Sequence, residues 1–176
     1  MAIVRHEGQL TLINSVRMDD QFYVARYNTT FHAFADGTTY TEPTLTHHLV
    51  DGGKLPFPNA RLFAFDHVHE TEGAILLEHG PGILLTADAV QSYSTPPHMP
   101  YTNWLVQKLL ALRGFTRDTI IGPVWLELAV TDKSGIKNEF ERLLAWDFDQ
   151  LLSAHGVFVE QNAHAELATA FAKTFG

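Results

Sequence analysis

Two polar side chains, Asp88 and His155, each follow a short apolar run. The turn sequence His-Gly-Pro-Gly separates the apolar residues 74–77 from residues 83–85, which predicts a hairpin of two buried strands just before Asp88. Residues 151–154 predict another strand, and His155-Gly156 follows it. A carboxylate near a buried strand is costly unless it is paired, hydrogen-bonded or bound to a metal. Because α/β sheets commonly assemble metal and acid–base sites at strand ends, the sequence predicts a site that contains Asp88 and His155.

His67 and His69 form a His-x-His pair that could add to this site. On a strand, positions i and i+2 face the same side, so both rings could reach one ion. The acidic neighbours Asp66, Glu70 and Glu72 could orient an imidazole as hydrogen-bond acceptors. Plainer interpretations exist for every candidate: a solvated loop for the His-x-His stretch, a capping or turn aspartate for Asp88, and an ordinary turn for His155.

Composition removes several classes of function. The chain has 176 residues with 12 basic against 20 acidic side chains, a net charge of −8, which disfavours nucleic-acid and anionic-membrane partners. There is no cysteine, so disulfides, thiolate metal sites and cysteine nucleophiles are excluded. The sequence also contains no Gly-x-Ser-x-Gly elbow and no phosphate-binding glycine loop. With neither a signal-peptide pattern nor a membrane-length apolar run, we expect a single cytoplasmic domain spanning residues 1–176.

The order of elements predicts a layered α/β or α+β fold, because most strands come first and helices follow. Strands are predicted at residues 9–16, 30–35, 61–65, in the hairpin and at 151–154, and helices at residues 104–115, 124–130, 136–146 and 163–175. Residues 91–100 contain three prolines and predict a loop overlying the site.

Two stretches resemble the metallo-β-lactamase superfamily. The strand ending Leu-Leu-Thr-Ala-Asp88 resembles the one that ends in the superfamily's metal-bridging aspartate. Residues 137–156 resemble its closing segment, in which a helix and a strand present the last metal-binding histidine in a His-Gly pair. Residues 67–73 fall where the superfamily places another histidine ligand, with His69 or Glu70 at that position.

The superfamily's His-x-His-x-Asp-His motif is absent, and its nearest remnant is Met18-Asp19-Asp20-Gln21. The resemblance therefore implies a metallo-β-lactamase-like sandwich with a reduced N-terminal half. It implies a metal-dependent hydrolase of small molecules that binds one Zn, Mn or Fe ion, or none. The metal ligands would come from His67, His69, Asp88 and His155, and Asp19 or Asp20 would be a further ligand or the base that orients water.

The alternative is a metal-free relative that keeps the scaffold to bind a ligand or to self-associate. A shortened sheet exposes edges and apolar surface, which a second copy commonly covers. We therefore expect a homodimer, with residues 20–58 at or near its interface.

Overall fold

The computed structural model describes residues 2–13, 32–34, 47–69, 72–93, 104–112, 115 and 118–176. The strands in these ranges are β1 Ala2–His6, β2 Gln9–Ile13, β3 His32–Phe34, β4 His47–Leu49, β5 Ala60–Phe65, β6 Glu72–Leu77, β7 Ile83–Thr86, β8 Val90–Ser92, β9 Thr119–Ile121 and β10 Gln150–Ser153. The helices in the same ranges are α1 Trp104–Leu112, α2 Pro123–Leu128, α3 Lys133–Leu144 and α4 Ala163–Phe175. The fold is therefore mixed α/β, in agreement with the predicted class.

A four-stranded mixed sheet in the order β10-β7-β6-β5 organises the molecule. The predicted hairpin is confirmed, because β6 pairs antiparallel with β7. Strand β5 pairs antiparallel with β6, whereas β10 pairs parallel with β7. As a consequence, the C-terminal ends of β5, β7 and β10 and the N-terminal end of β6 all lie along one edge, here called the site edge.

The two faces of this sheet pack against different partners. On one face, the aromatic rings of Phe63 and Phe65 join a core that includes Trp125 on α2 and Phe140 on α3. The Phe65 and Phe140 ring centroids are 5.3 Å apart. On the other face, Leu62, Ile75, Leu85 and Phe57 form a smaller cluster with the partly buried Val4 of β1. The alternation of inward and outward residues along β5 and β6 is what divides the apolar side chains between these two clusters.

Helix α3 packs against the sheet, and its start is fixed by a local cap. Asp132 adopts an extended conformation and its carboxylate accepts hydrogen bonds from the Ser134 and Gly135 N–H groups. These bonds satisfy two N–H groups that the first helical turn would otherwise leave unpaired. Ile136, Phe140 and Leu143 then place fully buried side chains against the sheet.

Three two-stranded sheets complete the described part of the chain. Strand β8 pairs antiparallel with β9 beside the site edge, so the predicted loop at 91–100 is wrong at its first two residues, which belong to β8. Strands β1 and β2 form a hairpin, and β3 pairs parallel with β4. The predicted helix at 163–175 is confirmed with its exact bounds. Within the described residues, no helix is both long and apolar enough to span a bilayer.

Candidate functional site

The parallel pairing of β7 with β10 brings Asp88 and His155 together. In that pairing Thr86 lies opposite Ser153, and Asp88 and His155 each follow two residues later. They therefore occupy equivalent positions on neighbouring strands, which are spaced about 4.8 Å apart. His155 Nε2 lies 2.7 Å from Asp88 Oδ1, and the two side chains are 55% and 57% exposed. The structure thus places two of the predicted site residues in direct contact at the site edge, in reach of solvent.

The turn that carries His155 is bonded to β8. Ser92 N–H donates to the His155 carbonyl at 3.2 Å, and Val157 N–H donates to the Ser92 carbonyl at 2.7 Å. Gly156 has a φ of +111° and packs so tightly on the Ser92 carbonyl that a Cβ atom there would overlap it. Ser153 Oγ completes the turn by accepting from His155 N–H at 3.1 Å and donating to the Val90 carbonyl at 2.6 Å. The glycine of the His-Gly pair is therefore required by close backbone approach.

The backbone around Asp88 is held by β8 and β9. The Asp88 carbonyl accepts from Gln91 Nε2 at 3.1 Å, and Gly122 N–H donates to the Ala89 carbonyl at 3.0 Å. Tyr93 Oη donates to Gln91 Oε1 at 2.9 Å. Burial raises the pKa of the Tyr93 phenol, and the negative charge of Asp88 raises it further. Tyr93 and Gln91 thus form a polar chain that ends at Asp88.

Glu72, the first residue of β6, lies behind Asp88. Its Oε1 accepts a hydrogen bond from Ala89 N–H at 2.7 Å. Burial raises the pKa of Glu72 to about 7, and the neighbouring Asp88 charge adds to that increase. The Trp125 indole N–H also lowers this pKa, although within the described residues it makes no hydrogen bond of normal geometry. Glu72 is therefore a carboxyl group that is partly protonated near neutral pH.

The structure does not bring the His-x-His pair to Asp88 and His155. His67 Nδ1 lies 2.5 Å from Glu139 Oε1 on α3, and this hydrogen bond raises the pKa of His67. The His69 backbone N–H donates to the Ala129 carbonyl at 2.8 Å, and the residue is exposed. The catalytic candidates Asp19 and Asp20, and Glu70, lie outside the described residues. Across the part of the chain that the structure describes, no three His, Asp or Glu side chains form a metal-binding group.

Asp88 and His155 nevertheless have donor types that suit a divalent cation. Imidazole nitrogen and carboxylate oxygen each lie about 2.0–2.2 Å from a tetrahedral zinc, which puts two ligand atoms about 3.3 Å apart. The observed 2.7 Å separation is that of a hydrogen bond, so the pair would have to open by roughly 0.6 Å to share an ion. Small side-chain rotations accomplish this at an exposed position.

Sequence reasoning missed Glu139 altogether and gave Glu72 only a supporting role. A signal for Glu139 exists, since it lies three residues after Ile136 and four before Leu143 and so shares their buried helix face. A carboxylate on such a face needs a partner. The sequence matches no protein-family model and no curated protein.

Proposed function

We propose that this chain is a divergent metallo-β-lactamase-like protein whose site edge holds a single divalent metal ion for hydrolysis. The observation that carries the proposal is the 2.7 Å contact between His155 Nε2 and Asp88 Oδ1 at equivalent ends of two parallel strands. The resemblance in sequence assigns metal-binding roles to these same two positions. The mixed sheet with helices against one face is compatible with that fold family.

The ligand set would be Asp88, His155 and one further donor. Candidates for that donor are Glu70 and either Asp19 or Asp20, all of which lie outside the described residues. When bound, a zinc-type ion lowers the pKa of its water to near neutrality and so supplies a nucleophile. Because imidazole and carboxylate ligands suit Zn, Mn and Fe, we expect one of these metals.

Residues around the pair orient the His155 imidazole and provide a carboxyl group that can hold a proton. Ser153, Gly156 and β8 fix the backbone of the His155 turn, so the imidazole approaches Asp88 from a defined direction. Glu72 has a pKa of about 7, which lets its carboxyl group hold or release a proton next to the Asp88 turn near neutral pH. The half-exposed pair leaves room for a small-molecule substrate to approach from solvent.

Calorimetric titration with zinc, after chelator treatment, tests the proposal. We expect about one ion per chain to bind to the wild type, with Asp88→Asn and His155→Ala each weakening binding by at least about tenfold. The matched controls are Asp147→Asn and His79→Ala, which change exposed residues of the same types elsewhere and should leave binding intact. Equal binding by all five proteins would refute the assignment of ligands.

A chromogenic ester panel assayed with and without metal then tests the hydrolase activity. Activity that requires the added metal and falls in Asp88→Asn supports the proposal. Metal binding with no hydrolysis of any ester, amide or lactam would indicate a metal-binding protein and contradict the hydrolase activity that we propose.

Two hydrogen-bonded pairs favour the alternative of a metal-free relative. His155 and Asp88 already satisfy each other by a direct hydrogen bond, and His67 is satisfied by Glu139. Such a scaffold would bind a ligand or form a homodimer through residues 20–58, most of which lie outside the described ranges. Light scattering that gives the 19.7 kDa mass of one chain would exclude the homodimer.

A further inference from the structure

His67 is held in place from several directions. Its carbonyl accepts from Thr131 N–H at 2.9 Å, and Val68 forms a β-bridge with Val130. Its ring lies against the first turn of α3 at Gly135, where a Cβ atom would clash with the imidazole. The segment that carries His67 is therefore fixed by backbone bonds, and the glycine makes room for the ring.

Glu139 is the partner of that ring and is almost fully buried. Its side chain is 4% exposed, and Oε1 accepts from both His67 Nδ1 at 2.5 Å and Asp66 N–H at 3.3 Å. Its other oxygen, Oε2, is buried and has no hydrogen-bond partner among the described residues. A carboxyl group this deeply buried needs a hydrogen-bonded partner, and the half-exposed His67 ring is that partner.

The exposed part of His67 is free to react. The side chain is 43% exposed, and within the described residues its Nε2 makes no hydrogen bond. A neutral imidazole that donates through Nδ1 carries its lone pair on Nε2. Asp66 and Asp132 add further negative charge around the ring. A carboxylate behind one nitrogen makes the other nitrogen a better base.

We propose that His67 and Glu139 form a second reactive site, a carboxylate–histidine pair in which His67 Nε2 is a general base toward water or an alcohol. Glu139 is the positioning residue that fixes the Nδ1–H tautomer. In the proton transfer, the O–H proton moves to Nε2, and Glu139 balances the positive charge that forms on the ring. This site shares neither residue with the Asp88–His155 pair and so stands independently of the metal.

Diethyl pyrocarbonate acylates neutral imidazole and tests the proposal in the intact chain. At about pH 8, where an ordinary histidine is neutral, the acylation rate of each histidine is followed by mass spectrometry, with the exposed His79 as internal reference. We expect Glu139→Leu to lower the ratio of the His67 rate to the His79 rate by about tenfold. Glu139→Gln, which keeps an acceptor oxygen but loses the charge, should give an intermediate ratio.

Two-bond proton–nitrogen spectra of the wild type provide a readout that needs no variant. Above its pKa, His67 should show the Nδ1–H tautomer, whereas His79 should show the tautomer usual for a free imidazole. An Nε2–H tautomer for His67, or an unchanged rate ratio in folded Glu139→Leu, would overturn the proposal. If Glu139→Leu does not fold, Gly135→Ala displaces the ring while Glu139 remains, and it should lower the same ratio.

Discussion

Replacing Gly156 by alanine should destabilise the protein strongly and disturb His155. Gly156 has a φ of +111°, a conformation that L-residues rarely adopt, and its Cα faces the Ser92 carbonyl without room for a Cβ. An alanine there must push the His155 turn away from β8. Its two backbone hydrogen bonds, Ser92 N–H to His155 and Val157 N–H to Ser92, would then lengthen or break.

The expected loss follows from these two causes. Holding an L-residue in a sparsely populated backbone region costs about 1–3 kcal/mol. Weakening two backbone hydrogen bonds costs about 1 kcal/mol each. The sum is about 3–5 kcal/mol of unfolding free energy, which for a chain of this length lowers the Tm by roughly 6–20 °C.

Gly80→Ala is the matched control for this experiment. Gly80 also has a positive φ, +58°, but no atom of the described residues lies within 4 Å of the position of an added Cβ. The Gly80→Ala variant should therefore lose only about 1 kcal/mol of unfolding free energy. Urea denaturation of both variants measures the difference, and imidazole NMR signals report whether His155 has moved. Equal losses in the two variants, with an unshifted His155 signal, would show that the turn does not pack on Ser92 as described.

Three further predictions concern the core and the polar residues around it. Phe140→Ala should lower the unfolding free energy, measured by urea denaturation, by about 3–5 kcal/mol, because the ring is fully buried and contacts Phe65 and Trp125. A loss below about 1 kcal/mol would contradict that packing. The raised pKa of Glu72 means that the native state holds this proton more tightly, so stability should fall as pH rises from 4.5 to about 7. Glu72→Gln should flatten that decline, and an unchanged pH profile of unfolding free energy would show that Glu72 does not cause it. Asp51→Ala should lower the unfolding free energy by about 1–3 kcal/mol, because Asp51 Oδ1 accepts a hydrogen bond from the Ala64 N–H. Arg142→Ala should lower it less, because the ion pair of Arg142 with Asp51 is solvent-exposed. Equal losses in the two variants would contradict this.

The sequence predicted the local elements around the site because their signals are local. The turn at Gly80–Gly82 uses positive φ angles at both glycines, which is why the hairpin was recognisable. Helix α3 was expected from residue 136 but begins at Lys133, since the Asp132 cap adds a polar first turn that hydrophobic periodicity cannot detect. Strand β9 was missed because three residues, Thr119–Ile121, are too few to show alternation.

For the site too, local features were predictable from the sequence and long-range contacts were not. Apolar runs placed Asp88 and His155 at strand ends, but their contact depends on the parallel register of β7 with β10, a pairing between segments far apart in the chain. The polar stretch at 66–72 was ambiguous between a loop and a ligand segment. The position of His67 depends on its hydrogen bond with Glu139, which lies 72 positions away in the chain. Local sequence patterns do not link two residues that are so far apart.

Elemental analysis of the protein purified without a nickel column tests the central claim most directly. We expect close to one equivalent of Zn, Mn or Fe in the wild type and almost none in Asp88→Asn, with the circular dichroism spectrum of the variant unchanged. Wild-type protein that contains no metal, and whose melting curve does not change in chelator, would contradict it.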